Sequence, residues 1–250
     1  MTTFAYPKSI RRAVAAALVL AGLLACVKLA SERGIHLAEI MFWRQLPTIP
    51  ILLGWFALRR QLGRLKTARM GSHLRRSGFG MVGMTMNFGA ATLLPLAVAT
   101  TLNYSSAIFA VVLSALVLRE PTGVWRWSAV ALGFTGVVVI AQPWGGELPL
   151  LGAAIALGAA LMIALISVQL RDLGRTEHPF TIVFYFSLFS VPVLALAMPF
   201  VGQAHPLEDW LLLLACGVIG LLGQVLLTAA LRYGMVANVI VMDYSGLVWA

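Results

Sequence analysis

Apolar runs of about twenty residues recur along this chain, separated by short charged gaps. A helix rises 1.5 Å per residue, so about 20 mostly apolar residues cross a hydrocarbon core of about 30 Å. On that ruler, spans fall near 12–30, 37–58, 77–94, 97–118, 125–142, 148–170, 179–200, 208–230 and 234–250. The expected fold is an all-α membrane protein with about nine transmembrane helices. Leu94-Pro95 divides the third run from the fourth. Prolines 47, 50, 95 and 192 are expected to kink or interrupt helices, which lipid tolerates where neighbours satisfy the freed backbone groups. With 60% hydrophobic and 11% charged residues, the chain has too few charges to cover a water-facing surface. A soluble domain carries about 25%.

Net charge is +9 and the pI about 10.4. Such a balance would suit a nucleic-acid partner. The cations instead sit in gaps between apolar runs, without aromatic interleaving, so no nucleic acid is expected. Their placement reads as topology, because cytoplasmic loops collect Lys and Arg. The gap with Arg59, Arg60, Arg64, Lys66, Arg69, Arg75 and Arg76 is expected inside. Lys8, Arg11 and Arg12, Arg119 and Arg126, Arg171 and Arg175, and Arg232 agree. The opposite gaps are poor in cations: 142–149 holds only Glu147, and 202–209 holds His205, Glu208 and Asp209. A multi-pass protein of the cell inner or plasma membrane follows, with a cytoplasmic N-terminus. Ala13 to Ala25 after basic residues also resembles a secretory signal, and Leu23 to Cys26 part of a lipoprotein cleavage box. The apolar runs that follow, with no exported domain, favour a retained first helix.

Shifted by 140 positions, the third and fourth runs align on the eighth and ninth without gaps. Gly80 falls on Gly220, Gly83 on Gly223, Ala90 on Ala230, and Tyr104-Ser105 on Tyr244-Ser245. The unit holds five helices, an odd number, so the second copy enters from the opposite side. That predicts inverted repeats over 1–143 and 148–250, the build that lets a transporter alternate access about a midplane site. The second copy stops inside its own fourth helix, so the end of the ninth span and a tenth are expected to be missing.

Ala99 to Pro121, ATTLNYSSAIFAVVLSALVLREP, resembles the fourth helix of EamA-type proteins of the drug/metabolite transporter superfamily. Trp127 to Pro143, with Gly133 and Gly136, is similar to that family's fifth helix, and Phe42-Trp43-Arg44 to its aromatic-Arg element. The resemblance implies ten helices in two inverted five-helix repeats, four helices of each repeat around a cavity, and a small organic solute as cargo. The first helix carries no acid comparable to the first-helix Glu of the superfamily's small multidrug exporters, so no proton coupling carries over.

Charges within spans are expensive and default to functional candidates. Asp243 aligns on Asn103, each beside a Tyr-Ser pair, so Asp243, Tyr244 and Ser245 are expected to face Asn103, Tyr104 and Ser105 near the midplane. There they would contact substrate, with Asp243 also a candidate coupling acid or a partner for Arg44. Arg44 could steer an anionic solute or pair with Glu39. Asn87, Gln224 and Thr228 could line the cavity or bond helices together, Lys28 should reach the headgroups, and the paired glycines should serve packing. Cys26 and Cys216 lie in apolar runs without metal spacing. No cofactor, metal or enzyme chemistry is expected: an intramembrane prenyl transferase needs clustered acids or a His-rich motif, and His36, His73, His178 and His205 are scattered. A non-transporting membrane partner is the other competing class. The lipid bilayer and a small solute are the expected partners, with a homodimer left open.

Overall fold

A computed structural model describes residues 6–116, 123–141 and 149–233, and every element among them is helical. Helix α1 spans Tyr6–Glu32, and Gly34, at φ +83°, turns the chain into α2, Leu37–Gln45. That left-handed conformation suits glycine. The expected second span is split at Leu46-Pro47 into α2 and α3, Thr48–Leu58. Proline has no N–H to donate, so Pro47 ends one helix and caps the next. A 3-10 turn at Leu62–Leu65 leads to α4, Met70–Leu93. Pro95 then caps α5, Leu96–Asn103, as the Leu94-Pro95 boundary predicts.

The fourth span is not continuous. A turn at Tyr104 and Ser105 separates α5 from α6, Ser106–Leu116. Helix α7 runs Val124–Ala141, α8 Leu150–Gly174, α9 Pro179–Ala195, α10 Met198–Val201 and α11 Leu207–Tyr233. The seventh expected span is therefore α9, with Pro192 inside it, followed by the short α10. The region expected to hold the ninth span lies outside the described residues. Four stretches, Arg11–Glu32, Leu96–Leu113, Leu150–Gly174 and Leu207–Arg232, are long and apolar enough to cross a membrane. Large apolar side chains such as Leu18, Leu53, Val82, Leu132 and Leu214 point outward, as lipid-facing positions would.

The helices pair across long stretches of sequence. α1 lies along α11 and α4 along α8, while α2 packs on α11 and α9 on α4. α2 and α9 also touch, α5 and α6 lie on α8, and α7 leans on α5 and α6. Small residues make the close seams possible. Ala153, Ala156, Ala160 and Ala164 form a buried stripe on α8. A Cβ on Gly83 would lie 2.9 Å from Ile166 Cδ1 and 3.0 Å from Met162 Cβ, and one on Gly223 2.6 Å from Leu20 Cδ2. Cys26 and Cys216 sit as free thiols in one cluster with Val27, Ile40 and Phe88.

Two histidines start helices. The Nδ1 atoms of His36 and His178 accept from the backbone N–H of Ala38, at 3.2 Å, and of Phe180, at 3.4 Å. An imidazole can accept there only while Nδ1 is unprotonated. Burial, followed by the nearby Arg64 and Arg232, lowers the His178 pKa from its ordinary 6.5, and burial lowers that of His73. The folded protein thus binds fewer protons than the unfolded chain, and stability falls as pH drops through 6.5 towards the lowered folded values. The melting temperature in detergent is expected to decline from about pH 7 to about pH 5. His178→Asn, which keeps an accepting cap, should reduce that slope. An unaltered slope would exclude His178 as a contributor.

Candidate functional site

Along α4, Arg76, Gly80, Gly83, Met84, Asn87 and Phe88 recur every three or four residues. Helical periodicity puts them on one face, and that face borders a cavity of about 220 Å³. Facing it are Leu20 and Leu24 of α1, Arg44 of α2, Asn103 of α5, Ser106 of α6, Ile166 and Ser167 of α8, Phe186 of α9, and Gln224 and Leu227 of α11. Tyr104, at the break between α5 and α6, completes the lining. The walls are mostly apolar, with a few convergent polar groups, the usual make-up of a small-molecule site.

Arg44 and Arg76 dominate its electrostatics. Each is 2% exposed. Arg44 Nη1 donates to the Met84 sulfur at 2.7 Å, a weak acceptor. Its guanidinium lies 5.5 Å from the centre of the Phe88 ring. Gly220 makes room for it, since a Cβ there would lie 3.0 Å from Arg44 Cγ. Arg76 Nη2 donates to Gln224 Oε1 at 3.3 Å, and its guanidinium sits 3.8 Å over the Phe186 ring. Gly80 supplies that space, 2.6 Å from Arg76 Nη1 and 2.7 Å from Phe186 Cε2 by the same measure. Among the described residues the Nε of both arginines and Nη1 of Arg76 have no hydrogen-bond partner. Among the described residues no carboxylate pairs with either guanidinium.

The acids instead serve the two ends. At the end bearing the 59–76 segment, Arg69 pairs with Asp172, Thr67 Oγ1 donates to Glu177 at 2.6 Å, and Tyr185 OH donates to Leu65 O at 2.7 Å. At the other end Arg33 pairs with Asp209 at 2.8 Å, and Glu39 meets His205 at 2.9 Å. Trp43 and Trp210 stack edge to face nearby, ring centres 4.9 Å apart. Glu39 is thus engaged by His205, and Arg44 turns into the cavity. Lys28 Nζ donates to Leu94 O at 3.4 Å, at the end of α4.

Of the expected site residues, Arg44, Asn87, Asn103, Tyr104 and Gln224 line one cavity. Asn103 Nδ2 donates to Asn87 Oδ1, and among the described residues Asn103 Oδ1 has no partner. Ser105 is spent locally, its hydroxyl donating to Leu102 O at 2.6 Å, and Ser106 lines the cavity in its place. Thr228 likewise bonds its own helix, at Gln224 O. Asp243, Tyr244 and Ser245 fall outside the described residues. Arg76 corrects the sequence reading, which counts it with the loop cations. Its position four residues before Gly80 and eleven before Asn87 puts it on the cavity face, and that spacing was the available signal.

The EamA-like transporter family matches residues 9–142 and again 150–250. A pseudopaline exporter of Pseudomonas aeruginosa is 34% identical over 219 residues, covering 85% of this chain and 74% of the exporter. A riboflavin transporter of Vibrio cholerae is 33% identical over 162 residues, covering 64% of this chain and 54% of that protein. A protein of known crystal structure superposes over 98% of this chain and 86% of its own, at a TM-score of 0.72 and 19% identity, which shows a shared fold.

Proposed function

The chain belongs to the EamA-like transporter family, and from that premise we propose that it carries a small organic solute across the membrane by alternating access to the central cavity. The observation that carries this reading is the cavity itself: walled by α1, α2, α4, α5, α6, α8, α9 and α11, and bridged at both ends by side-chain links. Such a site serves transport when one set of links opens while the other stays closed. The chain reads as two inverted repeats over 1–143 and 148–250, with about nine spans. Supporting this are the twofold family match and the exchange of partners, α1 with α11 against α8 with α4. By the positive-inside rule the 59–76 end faces the cytoplasm of a cell inner or plasma membrane.

Asn87→Cys, in a background with Cys26 and Cys216 replaced by Ala, tests access without knowledge of the solute. A membrane-impermeant maleimide should label it from either face of sealed vesicles. Asp172→Asn, which removes the partner of Arg69, should raise the labelling rate from the 59–76 face severalfold. Labelling confined to one face in both backgrounds would sink alternating access. Labelled riboflavin, the named cargo of one relative, is the first flux probe.

A further inference from the structure

Two guanidiniums buried in one cavity, with no carboxylate paired to either among the described residues, are out of balance. A charge taken from water is held only when paired and hydrogen-bonded. Among the described residues Arg44 and Arg76 keep three unpartnered nitrogens between them, and their contacts there are a thioether, an amide oxygen and two aromatic rings. The acids at the two ends of the described helices are committed elsewhere: Glu39 to His205, Asp172 to Arg69, Glu177 to Thr67, Asp209 to Arg33. Gly80 and Gly220 hollow out the space these heads occupy, so their inward placement is built by the fold.

Arg76 begins the cavity face of α4, while Arg44 meets the same helix at Met84 and Phe88, beside Asn87 and its partner Asn103. Eleven residues from Arg76 to Asn87 amount to about 16 Å along the helix. The apolar walls of the cavity include Leu20, Leu24, Ile166 and Leu227.

We infer that the cargo is an organic carboxylate, its anionic group held by Arg44 and Arg76, its apolar body against the leucines, and a neutral hydrogen-bonding group at the Asn87–Asn103 pair. A planar guanidinium binds carboxylate through two parallel N–H···O bonds, and among the described residues both arginines keep buried N–H groups without an acceptor. The inference rests on the transporter reading for its site and adds the charge class of the solute.

Binding to the purified protein in neutral detergent separates the two. The probes are benzoylglycine, its neutral methylamide, the cationic analogue benzoylethylenediamine, succinate and phenyl phosphate, each followed by equilibrium dialysis and melting. Benzoylglycine is expected to bind and raise the melting temperature, with at least tenfold preference over the methylamide and none detectable for the cation. Phenyl phosphate binding more tightly than both carboxylates would overturn the carboxylate assignment. Arg44→Gln and Arg76→Gln should each cut benzoylglycine affinity at least tenfold while leaving the protein monodisperse and its unliganded melting temperature unchanged or higher. Arg44→Lys should retain more affinity than Arg44→Gln. Equal binding of the three benzoyl probes, undiminished binding in both Gln variants, or no carboxylate bound at 10 mM would overturn the inference. Binding that follows charge in the wild type decides the matter even if a variant misfolds. Flux of a neutral or cationic solute through the cavity would refute this inference and leave the transporter reading intact. Carboxylate binding with one-sided Asn87→Cys labelling would do the reverse.

Discussion

Valine at position 217 is expected to destabilise the protein by about 3 kcal/mol, the upper part of the range for overpacking. A Cβ there would lie 2.9 Å from Pro47 Cγ and 3.1 Å from the Trp43 carbonyl oxygen. Neither can yield. The Pro47 ring is fixed where α3 begins, and the Trp43 carbonyl belongs to the backbone of α2. α11 would have to back away from α2, carrying Gly220 off Arg44 and loosening the cavity wall. Gly89 supplies the contrast, because a Cβ there meets nothing within 4 Å. Gly89→Ala should be neutral or stabilising by roughly 0.5 kcal/mol, since alanine favours the helix. Melting both variants in one detergent checks the pair. A Gly217→Val protein that melts within about a degree of the wild type would refute a tight α2–α11 seam.

Glu39→Ala should have the next largest effect, about 3 kcal/mol, the lower end for breaking a buried pair by removing one partner. Glu39 is 1% exposed and the His205 side chain 7%. Truncation strands the imidazole beside Trp210, whose ring centre lies 5.5 Å away, and releases the link between α2 and the segment before α11. Glu39→Gln keeps a hydrogen-bonding group of the same shape and should cost less than half as much. A double-mutant cycle with His205→Ala isolates the pair. A coupling energy near zero would mean that the two side chains are neighbours and no more. Arg33 with Asp209 would then close that end by itself, at the modest worth of a partly exposed ion pair.

Much of this molecule is legible in its hydropathy. Runs of twenty apolar residues have few solutions in lipid, and the helical class, the Pro95 boundary and most helix positions follow from that constraint. Asn87, Asn103 and Gln224 stand out because each is a polar interruption of such a run. Arg76 does not. It closes a cluster of loop cations, and a window average assigns it to the loop. Only its phase with Gly80 and Asn87 says that the side chain points inward. The break at Tyr104 and Ser105 is equally silent, since no proline marks it and serine hydroxyls can cap a turn or a helix alike. Gly217 and Gly89 read the same in sequence. One is wedged against a proline ring and the other faces open space, and only the partner helix tells them apart. Arg44 and Glu39 are five residues apart and of opposite sign, which suggests a pair. Their helix phase points one into the cavity and brings the other to His205.

The lengthwise pairing of α1 with α11 sets a schedule for biosynthesis. Some 175 residues separate Glu32 from Leu207, and at roughly 5–20 residues per second α1 waits about 10–35 s for its main partner to be made. During that interval its alanine-rich face, including Ala13, Ala16 and Ala17, stands in lipid or against the insertion machinery. A helix made early is thus among the last to be seated. A nascent chain stalled before α11 would therefore present α1 to quality control as an unclaimed helix.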